Sequence, residues 1–425
     1  MTLSGNGEVR LRPKTWVRVS SKQMKPSGSV LIVEPDCGGH RANHVGIISR
    51  YLSAAGVQAR LLTSAKAIAE GGFDDLGLET DCLENEDVAL PIYARFLPGS
   101  FRHQVKMYRQ IFAYLDKEQS SIRCAIFPTL QASGLLPAGL SKAGFPVPWV
   151  GVVMAPGAHL RANGIDTPHT ATELWVQARA YRRLAKQRNC IRIGSFDPLF
   201  VDWLKEPTVV YCPDPVRIAR TDDVEELVPR TDKPVVLVAG SIDKRKKVCE
   251  LAEVLCEVNR TAPLRLVIAG KPNDEIRTKL EGSPALQELQ ESESLDLILR
   301  RLSDFEMDYL FQRADIVWSG NLRAYGSSGA VVRAGMHGKP VVTMQNSVLG
   351  NWMQSVDGGP TADLSSAAAL KKIFHKLVTD KVFRETTGRN NYGLFGDNTE
   401  QKYCEVLLSP LKLAGTDSPE VNGDV

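Results

Sequence analysis

Two series of short, continuous apolar runs constrain the fold of this 425-residue chain most strongly. In each series, a segment with a helical pattern separates one apolar run from the next. The first run, residues 29–34, reads SVLIVE, and apolar side chains then recur with helical spacing at Val45, Ile48 and Leu52. A strand without polar alternation has both faces buried. The alternation therefore predicts a parallel sheet that helices cover on both sides.

The first series predicts strands at 29–34, 59–63, 124–127, 149–154 and 190–193. The pattern restarts after the Pro-rich segment 212–215, with predicted strands at 234–239, 264–269, 295–299, 315–318 and 340–344. Further helices are predicted at 246–260, from a capping box at Ser303 and Glu306 to about Arg313, at 365–390 and at 399–408. The expected fold is α/β, with two Rossmann-like, doubly wound parallel-sheet domains facing each other across a cleft. We place these domains at 27–206 and 207–396, between a basic tail at 1–26 and a second tail at 410–425.

Composition excludes several classes of protein. A net charge of +3 and a pI near 8.3 are too balanced to indicate a nucleic-acid partner. None of the eight cysteines forms C-x-x-C, which argues against zinc ribbons and thioredoxin-like chemistry. The N-terminus lacks the apolar stretch of a signal peptide, and the longest apolar run, 145–154, is too short to span a bilayer. We therefore expect a cytoplasmic protein, with the basic tail either mobile or in contact with a membrane or partner.

Four segments that follow predicted strands are candidates for ligand binding, because ligands of such sheets bind beyond the carboxyl ends of the strands. Residues 36–41 (DCGGHR) join the first strand to a helix, where backbone N–H groups and the helix dipole favour an anion. The segment is not G-x-G-x-x-G, so a dinucleotide cofactor is poorly supported. The alternative is a tight turn whose glycines are needed only for positive φ.

Residues 240–247 (GSIDKRKK) place four consecutive cations at the predicted start of a helix. Cations there oppose the helix dipole, so a negative group such as a diphosphate should compensate them. We favour Arg245 and Lys246 as the pair that reaches the ligand, and the alternative is a solvated basic loop. Residues 325–330 (YGSSGA) leave another helix N-terminus uncovered, and together the two loops would clamp one diphosphate.

Residues 154–159 (MAPGAH) follow a strand of the first domain, so His159 could face the cleft or could be a structural hydrogen-bonding residue. His40 and His44 are comparable candidates. Asp36 and Glu34 could act as a base in principle. We assign Asp36, His40, Arg41 and His44 to the acceptor side of the cleft.

The ordered set of segments between about residues 211 and 407 resembles the GT-B glycosyltransferases and, within them, the large family 4 of retaining enzymes. The segments that carry the resemblance are 213–215 (PDP), 240–246 (GSIDKRK), 269–271 (AGK), the helix 303–314 followed by Asp315, and 338–342 (GKPVV). The first half of the chain matches more loosely, through Gly38 and Gly39.

The resemblance implies a donor nucleotide lying on the second domain. Arg245 and Lys246 would neutralise its diphosphate, the backbone near Arg300 and Arg301 would meet the base, and helix 397–409 would cross back to the first domain. The residues expected at the donor are Gly38, Gly39, Gly240, Ser241, Gly270, Lys271, Arg300, Arg301, Tyr325, Gly326, Ser327, Ser328, Gly329 and Arg333.

The sequence departs from the family at two places. The family commonly carries two glutamates eight positions apart in the donor loop, and those positions are Tyr325 and Arg333 here. Arg333 would touch a phosphate or an acidic sugar, or would be a solvent-facing helix residue. The histidine usually expected after a strand of the first domain has no match at Met154 or Ala155, so His159 is the substitute among the candidate catalytic residues.

The expected function is transfer of a sugar from a nucleotide-diphosphate sugar to a glycan or lipid-linked acceptor, with retention at the anomeric carbon, in cell-surface polysaccharide or glycolipid synthesis. The resemblance implies neither a metal ion nor any cofactor beyond the sugar nucleotide. The alternatives are a non-catalytic sugar-nucleotide-binding partner of another transferase and a GT-B sugar-nucleotide epimerase. Two basic stretches of the first domain allow a peripheral contact with an anionic membrane: Arg102, Lys106 and Arg109, then Arg179, Arg182, Arg183, Lys186 and Arg188.

Overall fold

The computed structural model describes residues 28–38, 40–83, 99–142, 144–219, 221, 225–320, 326–363 and 366–412. Both predicted tails lie almost entirely outside these ranges. Within them, no helix is long and apolar enough to cross a membrane.

The first domain contains a parallel sheet, seven-stranded as far as the described residues show, in the order β3-β2-β1-β4-β5-β6-β7. Its strands are β1 (Ser29–Val33), β2 (Ala59–Ser64), β3 (Glu79–Leu83), β4 (Ile122–Phe127), β5 (Trp149–Val153), β6 (Cys190–Ser195) and β7 (Val209–Tyr211). The helices between them are α1 (Arg41–Ala54), α2 (Ala65–Ala69), α3 (Gly99–Lys117), α4 (Leu135–Leu140), α5 (Ala171–Ala185) and α6 (Pro198–Leu204).

The second domain contains a parallel sheet with six strands in the described part of the chain, in the order β10-β9-β8-β11-β12-β13. Its strands are β8 (Val235–Ala239), β9 (Arg265–Ala269), β10 (Leu295–Ile298), β11 (Ile316–Ser319), β12 (Val341–Met344) and β13 (Thr361–Ala362). Its helices are α7 (Val248–Asn259), α8 (Asp274–Glu281), α9 (Pro284–Glu291), α10 (Asp304–Arg313), α11 (Gly329–Met336), α12 (Val348–Ser355), α13 (Ala367–Thr379) and α14 (Lys381–Phe395).

Both sheets are buried on both faces. In β1, Leu31 and Val33 pack into one apolar cluster, while Val30 and Ile32 pack into another on the opposite face. In β8, Val236 and Val238 are separated in the same way from Leu237 and its neighbours. Because side chains alternate across a strand, this arrangement requires helices on each side of the sheet. The predicted fold class is confirmed.

The last helix, α15 (Glu400–Leu408), packs against α1, β5 and β6 of the first domain. Its Tyr403, Cys404 and Leu407 belong to the same apolar cluster as Val30 and Ile32 of β1. The two chain crossings between the domains are tied together by Asn398, whose side chain donates to the Asp214 carbonyl oxygen at 3.1 Å.

All ten predicted strands form within two residues of the expected bounds, and the capping box of Ser303 and Glu306 begins α10. Three strands were not predicted: β3, β7 and β13, all at or next to a sheet edge. The predicted helix at 365–390 is two helices, since Asp380 ends α13 and caps α14. The predicted helix at 246–260 begins later, at Val248, because residues 244–246 form a 3-10 turn and Lys247 has a φ of 52°.

Candidate functional site

The loops after β8 and β9 lie backbone against backbone at the carboxyl edge of the second sheet. Gly270 has a φ of +146°, and a Cβ there would lie 1.8 Å from the carbonyl oxygen of Gly240. The two loops are also joined by the N–H of Ile242, which donates to the carbonyl oxygen of Lys271 at 3.2 Å. Ser241 and Lys271 have exposed side chains on these loops. A glycine is therefore required at 270 for packing, whatever it does for a ligand.

Lys246 turns inward at the same edge. The Nζ of Lys246 donates to the carbonyl oxygen of Ala239, the last residue of β8. The backbone carbonyl oxygen of Lys246 accepts from the indole N–H of Trp318 at 2.7 Å. Burial lowers the pKa of Lys246 to about 8. No carboxylate of the described residues forms an ion pair with this ammonium group. A half-buried cation whose partner is a neutral carbonyl group is poised to receive an anion.

Arg245 lies in the same turn but points outward, and its side chain is 66% exposed. The guanidinium pairs with Asp243, with 2.6 Å between Nη2 and Oδ2. Asp243 also accepts from the Arg245 N–H at 2.8 Å, which caps the 3-10 turn. The structure thus brings Arg245 and Lys246 to one turn, with the arginine held by a carboxylate at the surface.

The four cations do not oppose the dipole of α7 in the way that the sequence predicted. The cations precede α7 by a turn and do not lie within it, and Lys247 pairs with Glu250 at 2.5 Å. Since Arg245 pairs with Asp243, the chain itself compensates two of the four charges. The need for an external anion therefore rests on Lys246.

The loop before α11 lies between the linker and the first domain. Ser327 Oγ donates to Asp214 Oδ2 at 2.7 Å, and a Cβ on Gly326 would lie 3.1 Å from the Cβ of Ala155. Ser328 caps α11 without a side-chain hydrogen bond, and nothing lies within 4 Å of a Cβ built on Gly329. The helix N-terminus therefore has room for an anion at its amides. The expected residue Tyr325 lies outside the described residues.

Arg300 and Arg301 follow β10 at the same edge of the sheet. The Arg300 side chain forms an ion pair with Glu306, with 2.5 Å between Nη2 and Oε1, and both arginines are exposed. Arg300 and the Ser303 N–H lower the pKa of Glu306 to about 2. These contacts fix the turn between β10 and α10, so the backbone there has a defined shape.

Arg333 is held between α11 and α10. Its side chain is 11% exposed, and its Nη1 lies 2.6 Å from Oδ1 of Asp308, which is itself buried. Asp308 also contacts His337 Nε2 at 3.0 Å and accepts from the Ala219 N–H at 2.7 Å. The expected solvent-facing position of Arg333 is wrong, whereas the contact with a phosphate stays a prediction, since Asp308 and Asp304 hold the guanidinium here. The side chain instead joins α11 to α10.

In the first domain, the turn after β1 is built around Asp36. Its carboxylate pairs with Arg41 and accepts from the Gly38 N–H at 3.0 Å. Although its burial acts in the opposite direction, the Gly38 N–H and the Arg41 guanidinium hold the pKa of Asp36 below its usual value. His40 is exposed and precedes α1 without a side-chain cap. Gly39 lies outside the described residues.

His44 and His159 are both buried and do not line an open cleft. His44 lies between the rings of Phe196 and Tyr403, and burial lowers its pKa to about 3, so it is neutral at physiological pH. His159 is 0% exposed, with Nε2 2.8 Å from Oδ2 of Asp197. The expectation that His159 faces the cleft is wrong, because burial and the Asp197 contact give it the structural role that was the alternative.

From the sequence, Glu34 is expected only as a base in principle, and Asp214 has no expected site role. Glu34 follows β1 directly and is fully buried, and Asp214 in the linker holds the loop before α11. A carboxylate directly after a buried strand was the available signal for Glu34. Asp214 had no such signal, since its partner Ser327 is distant in sequence. Among the described residues, no cluster of three or more His, Cys, Asp or Glu side chains could hold a metal ion.

Neither a protein-family model nor a curated protein matches the sequence. Solved structures are similar in fold. A glycosyltransferase from Rickettsia africae aligns with a TM-score of 0.60 at 13% identity, covering 91% of this chain and 100% of its own. HepE from Anabaena, in complex with UDP, aligns with a TM-score of 0.59 at 13% identity over 90% and 100% of the two chains. For UDP-GlcNAc 2-epimerase from Neisseria meningitidis bound to UDP-GlcNAc, the TM-score is 0.58 at 13% identity over 90% and 99%. Two parallel-sheet α/β domains and these alignments show that the chain has the GT-B fold.

Proposed function

We propose that this protein is a glycosyltransferase that moves a sugar from a nucleotide-diphosphate sugar to an acceptor. The observation that carries the proposal is Lys246, a half-buried ammonium group at the carboxyl end of β8 whose partner is a backbone carbonyl group. The N-terminus of α11 supplies amides nearby in the sheet order, since β8 and β11 are adjacent. Solved structures of the same fold contain UDP or UDP-GlcNAc, which supports a sugar nucleotide as the ligand.

In the proposed reaction, negative charge grows on the diphosphate as the bond to the sugar breaks. Lys246 stabilises that charge in a buried position, where a fixed cation acts more strongly than in water. Arg245 joins it when its guanidinium exchanges Asp243 for a phosphate. The remaining amide donors are those of Ser328 and Gly329. We propose retention at the anomeric carbon and no metal ion in the reaction, with the sugar nucleotide as the co-substrate.

The test is a thermal-shift titration with UDP, GDP, ADP, CMP and dTDP, because a ligand bound by the folded state raises the melting temperature. One diphosphate should give a clear shift that Lys246→Met abolishes. Lys244→Met is the matched control, since it removes a cation from the same run without touching the buried position. An equal shift in both variants would exclude Lys246 from the site.

Two other functions have support from single observations. The likeness to UDP-GlcNAc 2-epimerase keeps sugar-nucleotide epimerisation open, and interconversion of the donor without an acceptor would favour it. The pairing of Arg333 with Asp308, at one of the two positions where the family commonly carries a glutamate, favours a non-catalytic binding partner. That function predicts nucleotide binding without turnover. Release of free nucleotide only when an acceptor is present would support transfer.

We propose that the first domain holds a glycan or lipid-linked acceptor and contacts an anionic membrane peripherally at the cytoplasmic face, in polysaccharide or glycolipid synthesis. Trp175 on α5 is 62% exposed, with Arg179 over its ring at 5.7 Å. Arg182 lies 4.9 Å from the ring of Trp203. Exposed aromatic side chains with flanking cations suit an anionic interface. Flotation with anionic vesicles at low salt should capture the protein, and Trp175→Ala should weaken capture, whereas equal capture by neutral vesicles would contradict the proposal.

A further inference from the structure

Glu34 is a carboxyl group buried at the carboxyl edge of the first sheet. It follows the last residue of β1 and is 0% exposed. Its Oε1 accepts from the Asp36 N–H at 3.4 Å, and its Oε2 has no hydrogen-bond partner among the described residues. An unpaired carboxylate oxygen in such a position is costly, whereas a neutral carboxyl group is tolerated much better.

Asp36, two residues along the same turn, has the opposite environment. It takes both the Arg41 guanidinium and the Gly38 N–H. Burial raises the pKa of Glu34 to about 8, while the pKa of Asp36 is held below its usual value. Two neighbouring carboxyl groups whose environments separate their protonation in this way have different tasks. At neutral pH, Asp36 is ionised and Glu34 holds its proton.

The groups that face Glu34 come from four elements. Asp36 lies in its own turn, Thr129 follows β4, Arg41 begins α1, and Tyr403 belongs to α15. Arg41 is the single cation of this set, and Asp36 already uses it. If Glu34 were ionised, it would compete with Asp36 for Arg41 and repel the Asp36 carboxylate. The contacts that shape residues 36–41 would then be lost.

We propose that Glu34 is a positioning residue whose neutral carboxyl group holds the turn at residues 34–38 in the form that receives a ligand between the domains. It acts through the Asp36 N–H, and so through the contacts of Asp36 with Gly38 and Arg41. The inference rests on the proposed function in one respect only, because that function supplies the ligand. The turn is ordered below the pH at which Glu34 ionises and loosens above it.

Hydrogen–deuterium exchange of a peptide that covers residues 35–44 tests the proposal without any ligand. Wild type and Glu34→Gln are compared at about pH 7 and about pH 9, so that the intrinsic pH dependence of exchange cancels. Glutamine keeps the acceptor for the Asp36 N–H and does not ionise. We expect the ratio of wild-type to Glu34→Gln exchange rates to rise by up to roughly tenfold from the lower to the higher pH, since the ionised fraction of Glu34 rises from about one-tenth to about nine-tenths. Equal exchange at both values would overturn the proposal.

The infrared carbonyl band of a protonated carboxyl group supplies a second measurement. Wild type should lose this band as the pH rises through about 8, and Glu34→Gln should lack it. Thr63→Val is the matched control, because Thr63 also follows an apolar run of the same sheet with a buried, unpartnered side chain. A band absent from wild type at neutral pH would overturn the proposal. Both measurements decide the role of Glu34 even if no sugar is transferred, so failure of the proposed function is recognised separately.

Discussion

The affinity for a nucleoside diphosphate should fall as the pH rises above 8, because of Lys246. Its pKa of about 8 in the empty protein is low because the ammonium group is buried beside a neutral carbonyl group. A bound diphosphate supplies the missing negative charge and raises that pKa. The protonated form therefore binds more tightly. At about pH 7 roughly nine-tenths of the protein carries the charge, and at about pH 9 roughly one-tenth does.

The magnitude follows from linkage. Affinity is fully present below about pH 8 and decreases up to tenfold for each further pH unit, or about 1.4 kcal/mol, until the pKa of the complex is reached. Loss of the side chain in Lys246→Met removes a hydrogen bond to a charged group, which contributes about 1.5–3 kcal/mol. The dissociation constant of this variant at neutral pH should rise roughly tenfold to 150-fold.

Calorimetric titration of UDP in two buffers with different ionisation enthalpies measures both quantities. At about pH 8, binding to the wild type should take up roughly half a proton, and binding to Lys246→Met should take up none. Lys244→Met should behave as the wild type. A dissociation constant that stays the same between about pH 7 and about pH 9, with no proton uptake, would refute the assignment of Lys246 to the diphosphate.

Four further predictions concern stability, measured by urea denaturation. Gly270→Ala should lower the free energy of unfolding by about 2–4 kcal/mol, because its Cβ meets a facing carbonyl oxygen at 1.8 Å and its φ is +146°. Gly393→Ala, in an open position of α14, should raise it by about 0.5–1 kcal/mol. Asp308→Ala should lower it by about 3–5 kcal/mol by removing the buried partner of Arg333, which keeps only the exposed carboxylate of Asp304, and should leave UDP affinity unchanged. As the pH rises from about 4.5 to about 8, the wild type should lose about 4–5 kcal/mol of its free energy of unfolding relative to Glu34→Gln. The reason is that Glu34 releases its proton at a lower pH in the unfolded chain than in the folded protein.

Three of these predictions bear on the site, and each has an outcome that would contradict it. A stable Gly270→Ala protein would show that the two loops separate easily. Strong loss of UDP affinity in Asp308→Ala would return Arg333 to the donor site. A difference between wild type and Glu34→Gln that grows towards acid would mean that the folded state favours the ionised carboxylate.

The sequence predicted the sheets well because strands buried on both faces leave a continuous apolar run. β3 reads ETDCL and lies at the edge of the sheet, where only one side of it pairs with a strand of the described residues, so it lacks that signal. β13 has only two residues, too few for any pattern. Propensity also could not place the start of α7, because Lys247 adopts a left-handed conformation that is uncommon for lysine.

The wrong predictions at the site concern side chains whose partners are distant in sequence. The position of His159 after a strand predicts a residue of the cleft, but the sequence does not show that Asp197 lies beside it. In the structure His159 is buried in contact with that carboxylate. Arg333 is held by Asp308 across two helices, a contact that no local pattern indicates. The same limit applies to Lys246, whose inward direction depends on the 3-10 turn before α7. A sequence therefore predicts which residues lie at the edge of a sheet, but it does not predict the direction in which their side chains point.

The packing of α15 has a consequence for the order in which the protein can fold during synthesis. Tyr403, Cys404 and Leu407 fill the part of their apolar cluster beside α1, β5 and β6, so that part stays uncovered until nearly the whole chain has left the ribosome. Domains usually fold as they emerge, the N-terminal one first. Here the second domain has all its strands and its helices through α14 before the first has its last helix. Ribosome-bound chains that end before residue 400 should therefore expose an apolar surface on the first domain. A chaperone that binds apolar segments should recognise these chains.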